Sequence, residues 1–371
     1  MRAKDVYQSV PLFQHRSLPL QPMFSYLSPN IRLLLCLFSI CNTGVIQCSH
    51  IPHQDDYNSI NTLGRYLFFD TRLSANGTKS CASCHDPSFA FTDGYRQSTG
   101  VYGDPLRRNA PSLLNARYLP SLNWADIHTK TFEAQMQGPL FSNNPPELGL
   151  SKNKHLAGRQ EDHPYLAPKS IYKVLEELRA DSLYQRLFFE AFPHQKNPFS
   201  SQNLFRAIAG YERTLVSFGS AYDRFVAGDT SALSAAAQRG LHLFFGDKGN
   251  CAHCHKVPLL SDGLMHQGDY ANGANSPTDL GLFEKTKNKA DIGLFRTPPL
   301  RNVAITAPYF HDGSMATLSA VLTYFEKQGH SSQKPITLTA TERRDLILFL
   351  ESLTDASIVQ NPWFRPPVLV E

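Results

Sequence analysis

Apolar residues recur at helical spacing along most of the chain. Leu241, Phe244 and Phe245 stand at i, i+3 and i+4, which predicts a helix over 234–245 with one buried face. Its pattern G-x-x-L-F-F occurs twice, as Gly64-Arg65-Tyr66-Leu67-Phe68-Phe69 and as Gly240-Leu241-His242-Leu243-Phe244-Phe245. A repeated helix of this kind predicts two related domains. Ser170–Phe192 and Gln202–Phe218 are periodic, with Leu204, Ile208, Tyr211 and Leu215 on one face of the second. Thr317–Gln328 carries the stripe Leu318, Val321, Leu322 and Phe325. Thr339-Ala340-Thr341-Glu342 is a capping box opening a helix to Leu353, with Leu346, Phe349, Leu350 and Leu353 buried. Gly219–Asp229 marks an interdomain junction. Segments 139–168 and 257–300 read as long loops, which are usually functional in a compact domain. Strand signals are scarce. The expected fold is all-α, with two related helical domains and much irregular loop structure. Its expected divisions are 1–50 as an N-terminal extension, 55–220, 221–355, and a tail at 356–371.

A chain of 371 residues is long enough for two domains with their own cores. Its formal charge of +4 is concentrated at the N-terminus, where Arg2, Lys4, Arg16 and Arg32 oppose Asp5 alone. The remainder is nearly neutral and offers no basic face for nucleic acid. Arg32 precedes the short apolar run Leu33–Ile40, the order of a secretory signal and too short to span a bilayer. A start at Met23 gives such a signal an ordinary length. Gln47 before Cys48 is a poor acylation signal, so a cleaved leader is favoured over a lipid anchor at Cys48. The expected location is the periplasm.

Of seven cysteines, Cys36, Cys41 and Cys48 lie in the leader region. The other four form Cys81-Ala82-Ser83-Cys84-His85 and Cys251-Ala252-His253-Cys254-His255. The CxxCH pentapeptide is the attachment signature of haem c: two thiols add across the vinyl groups and the histidine ligates the iron. A four-cysteine zinc site and a thioredoxin-like redox pair are the alternatives. The histidine directly after each pair, the export signal and the shared preceding helix favour haem. His85 and His255 are the expected iron ligands, and His253 is a neighbour of the ring.

These motifs, with Arg108–Asn115 (RNAPSLLN), Gln135–Gly149 (QMQGPLFSNNPPELG) and Phe295–Leu318 (FRTPPLRNVAITAPYFHDGSMATL), resemble the bacterial di-haem cytochrome c peroxidase/MauG family. The likeness runs from about residue 57 to 355. It implies two cytochrome c-like domains, a peroxide-reacting first haem and an electron-transferring second haem. It implies that Glu147 is the distal acid–base and that Gln135 lies on the same side. Trp124 corresponds to the tryptophan between the haems. Asn109 and the carbonyls of Thr306 and Pro308 correspond to a calcium site, whose oxygen ligands suit that ion. Independently, peroxide cleavage needs an open iron position and a group that takes one proton and returns it; a carboxylate with a raised pKa suits both tasks. Read without the family, Glu147 is an exposed loop acid, Trp124 core packing and Asn109 a turn residue.

The chain departs from the family at two places. Many members carry a blocking histidine sixteen residues after the first proximal histidine; here that position is Val101, which cannot ligate. The first iron is therefore expected to be open, as in MauG-like members, with His128 or Tyr102 as the competing ligands. The second concerns the far face of the second haem, where members place Met or Tyr fourteen residues after the histidine of HDG. Counting from His311 gives Phe325, next to Tyr324. Tyr324 is the expected ligand, with Met315, His330 or a vacant face as alternatives. Tyrosinate lowers and methionine raises the potential. Three functions follow: a peroxidase fed by a small c-type cytochrome or cupredoxin, a MauG-like oxidase of a partner protein, and a pure electron carrier. The absence of a blocking histidine disfavours the third.

Overall fold

The computed structural model describes residues 58–153, 169–267, 279–329 and 335–368. The predicted leader, Cys36, Cys41, Cys48 and His330 lie outside them. In chain order the helices are α1 (Ser59–Phe69), α2 (Phe132–Gln135), α3 (Gln137–Phe141), α4 (Ile171–Ala180), α5 (Ser182–Ala191) and α6 (Ser201–Arg213). They continue as α7 (Ala221–Val226), α8 (Ala235–Phe245), α9 (Phe283–Thr286), α10 (Leu318–Gln328), α11 (Ala340–Glu351) and α12 (Ser357–Gln360). The described residues hold two short strands, β1 (Met265–His266) and β2 (Phe295–Arg296), paired antiparallel with Met265 opposite Arg296. Predominantly helical structure with long irregular connections is what the periodicity predicts.

The repeated G-x-x-L-F-F helices do the same job twice. Helix α1 packs on α6, and α8 packs on α11. A Cβ on Gly64 would overlap the backbone carbonyl of Ala207, and one on Gly240 would overlap that of Asp345. Each glycine thus lets two helix backbones touch, which any larger side chain prevents. Phe68 and Phe244 are buried beside these crossings. Two main apolar clusters result. The first gathers α1, α2, α4, α5 and α6 around Leu67, Phe68, Phe188 and Tyr211. The second gathers α8, α10 and α11 around Phe244, Leu322, Leu346 and Phe349.

Several expected elements end where side-chain hydrogen bonds outcompete the helix. The predicted helix 170–192 is split, because Asp181 leaves helical conformation, caps α5 at the Leu183 N–H and pairs with Arg72. The helix expected to run to Phe218 stops at Arg213. Beyond it Ser217 exchanges two backbone hydrogen bonds with the Asn115 side chain and donates its hydroxyl to Asp355. Asn302 donates to the Ser217 hydroxyl and accepts from the Asp355 N–H. Asn115 and Asn302 both sit at left-handed φ, +60° and +65°, which asparagine tolerates better than most residues. The predicted junction 219–229 contains α7, closed by a reciprocal Ser220–Asp223 cap. The capping box at Thr339–Glu342 forms as predicted, and Leu346, Phe349, Leu350 and Leu353 are buried. Residues after 355 also join the first cluster. Trp363 donates its indole N–H to Thr214 Oγ1 at 2.8 Å, and Phe364 meets Phe91 edge-on at 5.6 Å.

Candidate active site

Both pentapeptides fold alike. Cys81–Ser83 and Cys251–His253 are single 3₁₀ turns, and in each the first cysteine's carbonyl accepts from the histidine N–H at 3.0 Å. None of these four cysteines is in a disulfide. Burial raises their pKa values, Cys254 to about 11 and Cys251 to about 12, so none is a ready thiolate. The two pairs do not gather into one metal-binding group among the described residues, which removes the four-cysteine zinc alternative. The group that does form there is Cys254, Asp262 and His266, within the second site.

Each proximal histidine meets a backbone carbonyl through Nδ1. His85 Nδ1 lies 2.9 Å from the Phe91 oxygen, and His255 Nδ1 lies 2.8 Å from the Leu260 oxygen. A carbonyl only accepts, so Nδ1 carries the proton and Nε2 keeps its lone pair for a metal. Burial also holds the His85 pKa below its ordinary value, which favours the neutral ligand form. Phe91 and Leu260 occupy the left-handed region, φ +61° and +54°, and both are fully buried. Such conformations cost about 1–3 kcal/mol per bulky residue and persist where surrounding structure enforces them. Both sites thus use a left-handed residue to aim a carbonyl at a histidine, and at the first site Ala90 is left-handed as well. Two thiols and a correctly protonated imidazole at each site fit a covalent haem c.

The loop carrying Glu147 lies beside the first pentapeptide. Glu147 is half-buried, burial raises its pKa above the ordinary carboxyl value, and its charge in turn raises that of Cys84. It is therefore not the exposed acid that its Pro-rich surroundings suggest. The loop is clamped on both sides. Leu148 and Leu150 N–H groups donate to the carbonyls of Pro139 and Leu140, on α3. Val101 N–H donates to the Pro146 carbonyl at 3.2 Å, and Gly100 leaves room for that carbonyl. Val101 is buried at the base of the loop. Gln135, half-buried at the end of α2, stands just before the helix that backs the loop. His128 is exposed, and Tyr102 is half-buried in the turn after Val101.

The second pentapeptide opens on a large apolar cavity lined by Cys251, His255, Phe244, Leu346 and the α10 stripe Leu318, Val321, Leu322 and Phe325. Its opposite wall comes from the first half of the chain: Thr92, Asn109–Ser112, Leu114 and Trp124. Trp124 is buried, and its indole N–H donates to the Asn109 carbonyl at 2.9 Å. The peptide N–H of Asn109 donates to the His311 carbonyl at 2.7 Å, and its side chain to the Tyr95 carbonyl at 2.9 Å. Thr306 and Pro308 line the same cavity as Asn109. Phe325 lines this cavity, whereas Tyr324 packs edge-on against Phe310 and Phe325. Met315 pairs its backbone with Tyr309.

Three residues of this wall had no role assigned from sequence. Phe295 stacks on His311 with ring centroids 3.7 Å apart. His266 Nε2 lies 2.9 Å from Asp262 Oδ2. Arg296 is buried in the cavity wall. The first and third belong to the FRTPPLRN segment, whose aromatic–arginine start was the available signal.

The helical fold and the twin histidine–cysteine sites fit a c-type haem protein. A family model described as "Di-haem cytochrome c peroxidase" matches residues 58–231. The chain is 35% identical to the methylamine utilization protein MauG of Methylorubrum extorquens over 297 residues, covering 78% of this chain and 77% of that one. It is 31% identical to the cytochrome c551 peroxidase of Nitrosomonas europaea, covering 83% and 82%. Among solved structures, a MauG-like protein associated with microbial copper homeostasis superposes with a TM-score of 0.74 at 34% identity, covering 88% of this chain and 99% of that one. The chain belongs to the di-haem cytochrome c peroxidase/MauG family.

Proposed function

We propose that this protein is a di-haem c-type peroxidase that reduces hydrogen peroxide to water, two electrons and two protons being consumed per peroxide. One haem c is held by Cys81, Cys84 and His85 and the other by Cys251, Cys254 and His255, in domains spanning 55–220 and 221–355. The observation that carries this reading is the clamped, half-buried Glu147 beside the first pentapeptide. A haem held at His85 would supply the redox equivalents for breaking the O–O bond. The Glu147 carboxylate takes the proton from the inner peroxide oxygen and returns it to the outer one as it leaves. A pKa raised by burial brings that carboxylate closer to its operating pH, where both transfers are efficient. Gln135 helps position the peroxide on the same side. Trp124, in the wall between the two halves, carries electrons arriving at the second site from a small c-type cytochrome or cupredoxin. Calcium at Asn109, Thr306 and Pro308 would fix that wall. Tyr324 would reach the second iron only if α10 turned, since Phe325 and not Tyr324 lines the cavity.

Val101 and the likeness to MauG favour a second reading, in which the same site oxidises residues of a partner protein. A periplasmic location is proposed from the leader, and none of the described helices is long and apolar enough to cross a membrane.

The test is an optical and EPR spectrum of the fully ferric protein, then peroxide addition. An open, high-spin first haem that reacts at once is expected. Two six-coordinate low-spin haems indifferent to peroxide would overturn the proposal. Oxidising equivalents retained for minutes without a donor would favour the partner-oxidising reading.

A further inference from the structure

Arg296 is only 2% exposed, yet among the described residues it forms no ion pair. Its guanidinium donates to two neutral carbonyls, from Nε to Asn123 at 3.2 Å and from Nη1 to Thr297 at 3.4 Å. The other buried arginine among the described residues behaves differently: Arg301 meets both oxygens of Asp223 at 2.8 Å. Burial without a counter-ion draws the Arg296 pKa down to about 10. A desolvated charge of this kind is costly unless an anion joins it. Arg296 lines the cavity that contains Cys251 and His255, and its peptide N–H donates to the Trp124 carbonyl at 2.7 Å. The ligand read for that cavity brings two carboxylates of its own, the haem propionates.

We propose that Arg296 is the counter-ion of a propionate of the second haem, and so both positions that haem against the Trp124 wall and raises its reduction potential. This rests on the reading of Cys251–His255 as a haem site. The chemistry is that of an arginine–carboxylate pair, in which a planar fork matches two oxygens. A positive charge fixed near the ring disfavours the extra positive charge of ferric iron, and so favours reduction. The Asn123 carbonyl holds the side chain in place, Met265 stands opposite in the strand pair, and neither carries a charge that would neutralise it.

The experiment compares the holoprotein with Arg296→Met and Arg296→Lys by haem count, spectroelectrochemical titration of both haems, and the propionate bending bands in resonance Raman. Two haems per wild-type chain are expected; fewer would sink the haem reading itself, separately from this inference. Arg296→Met should lower the reduced-to-oxidised ratio of the second haem about tenfold at fixed potential, about 59 mV for one electron, and leave the first unchanged. Arg296→Lys should recover much of that shift while altering the propionate band. If Arg296→Met loses the haem, the band of Arg296→Lys alone decides. With two haems present, an unchanged potential in Arg296→Met or an unchanged propionate band in Arg296→Lys overturns the inference.

Discussion

Trp124 donates its indole N–H to the carbonyl of Asn109, and through that bond the wall of the second cavity is tied to the segment that runs to the first proximal histidine. Burial holds the His85 pKa down, and the Pro111 backbone, two residues on, bears on His85 itself and opposes that effect. A path of bonded and hydrogen-bonded atoms thus runs from Trp124 through Asn109–Pro111 to His85. Trp124→Phe keeps a ring but strands a buried carbonyl, costing about 1–3 kcal/mol. It should also slow delivery of electrons from the second haem to the first, measured by stopped-flow reoxidation with peroxide. An unchanged rate would confine Trp124 to packing.

Glu147→Gln should lower peroxide turnover by about 10²–10⁴-fold, with both haems still attached. Because burial raises the Glu147 pKa, the deprotonated form needed to accept a proton accumulates only as pH rises past the ordinary carboxyl range. Turnover should therefore climb with pH through an acidic limb lying above pH 4.5, and Glu147→Gln should abolish that limb.

Glu212 on α6 is buried and its pKa is pushed up to about 8 by burial, with Oε2 lacking a hydrogen-bond partner among the described residues. A raised folded-state pKa means the folded chain holds a proton that the unfolded chain has lost. Stability from this group is therefore present below pH 4.5 and falls as pH rises to about 8. Glu212→Gln should flatten that slope and raise stability at pH 9 by on the order of a few kcal/mol, followed by urea unfolding at both pH values. Parallel slopes for the two proteins would refute this.

Gly64→Ala and Gly240→Ala should each cost at least about 1–3 kcal/mol, because the new methyl meets a backbone carbonyl that cannot swing away. Gly138→Ala is the control: nothing lies within 4 Å of its added carbon. It should be neutral or stabilising by about 0.4–1 kcal/mol in thermal melts.

Phe325 lines the second cavity and Tyr324 packs beside it. Phe325→Met should place a thioether over the second iron, giving a low-spin spectrum and a higher potential. Tyr324→Phe should leave that spectrum unaltered. A changed spectrum would identify Tyr324 as the ligand after all.

What the sequence disclosed was governed by periodicity and spacing. The α10 stripe faces its cavity because a period of 3.6 puts Leu318, Val321, Leu322 and Phe325 on one side. Asp181 and Ser217 were illegible as breaks because their partners, Arg72, Asn115 and Asp355, are remote in sequence. Glu147 was visible through the family motif and not through its own surroundings. Arg296 stood within a quoted motif, but nothing local reveals that a charge will be buried without a carboxylate. The left-handed turns at Phe91 and Leu260 carry no glycine or asparagine to announce them.

The edge-on contact between Phe364 and Phe91 also bears on the order of synthesis. Phe91 supplies the carbonyl that aims His85, while Phe364 leaves the ribosome long after both pentapeptides. A nascent chain halted before residue 357 would display all four cysteines with Phe91 uncovered on that side. Closure of the first site therefore depends on residues far along the chain, and truncation before residue 357 should leave attachment through Cys81 and Cys84 intact while loosening the hold on His85.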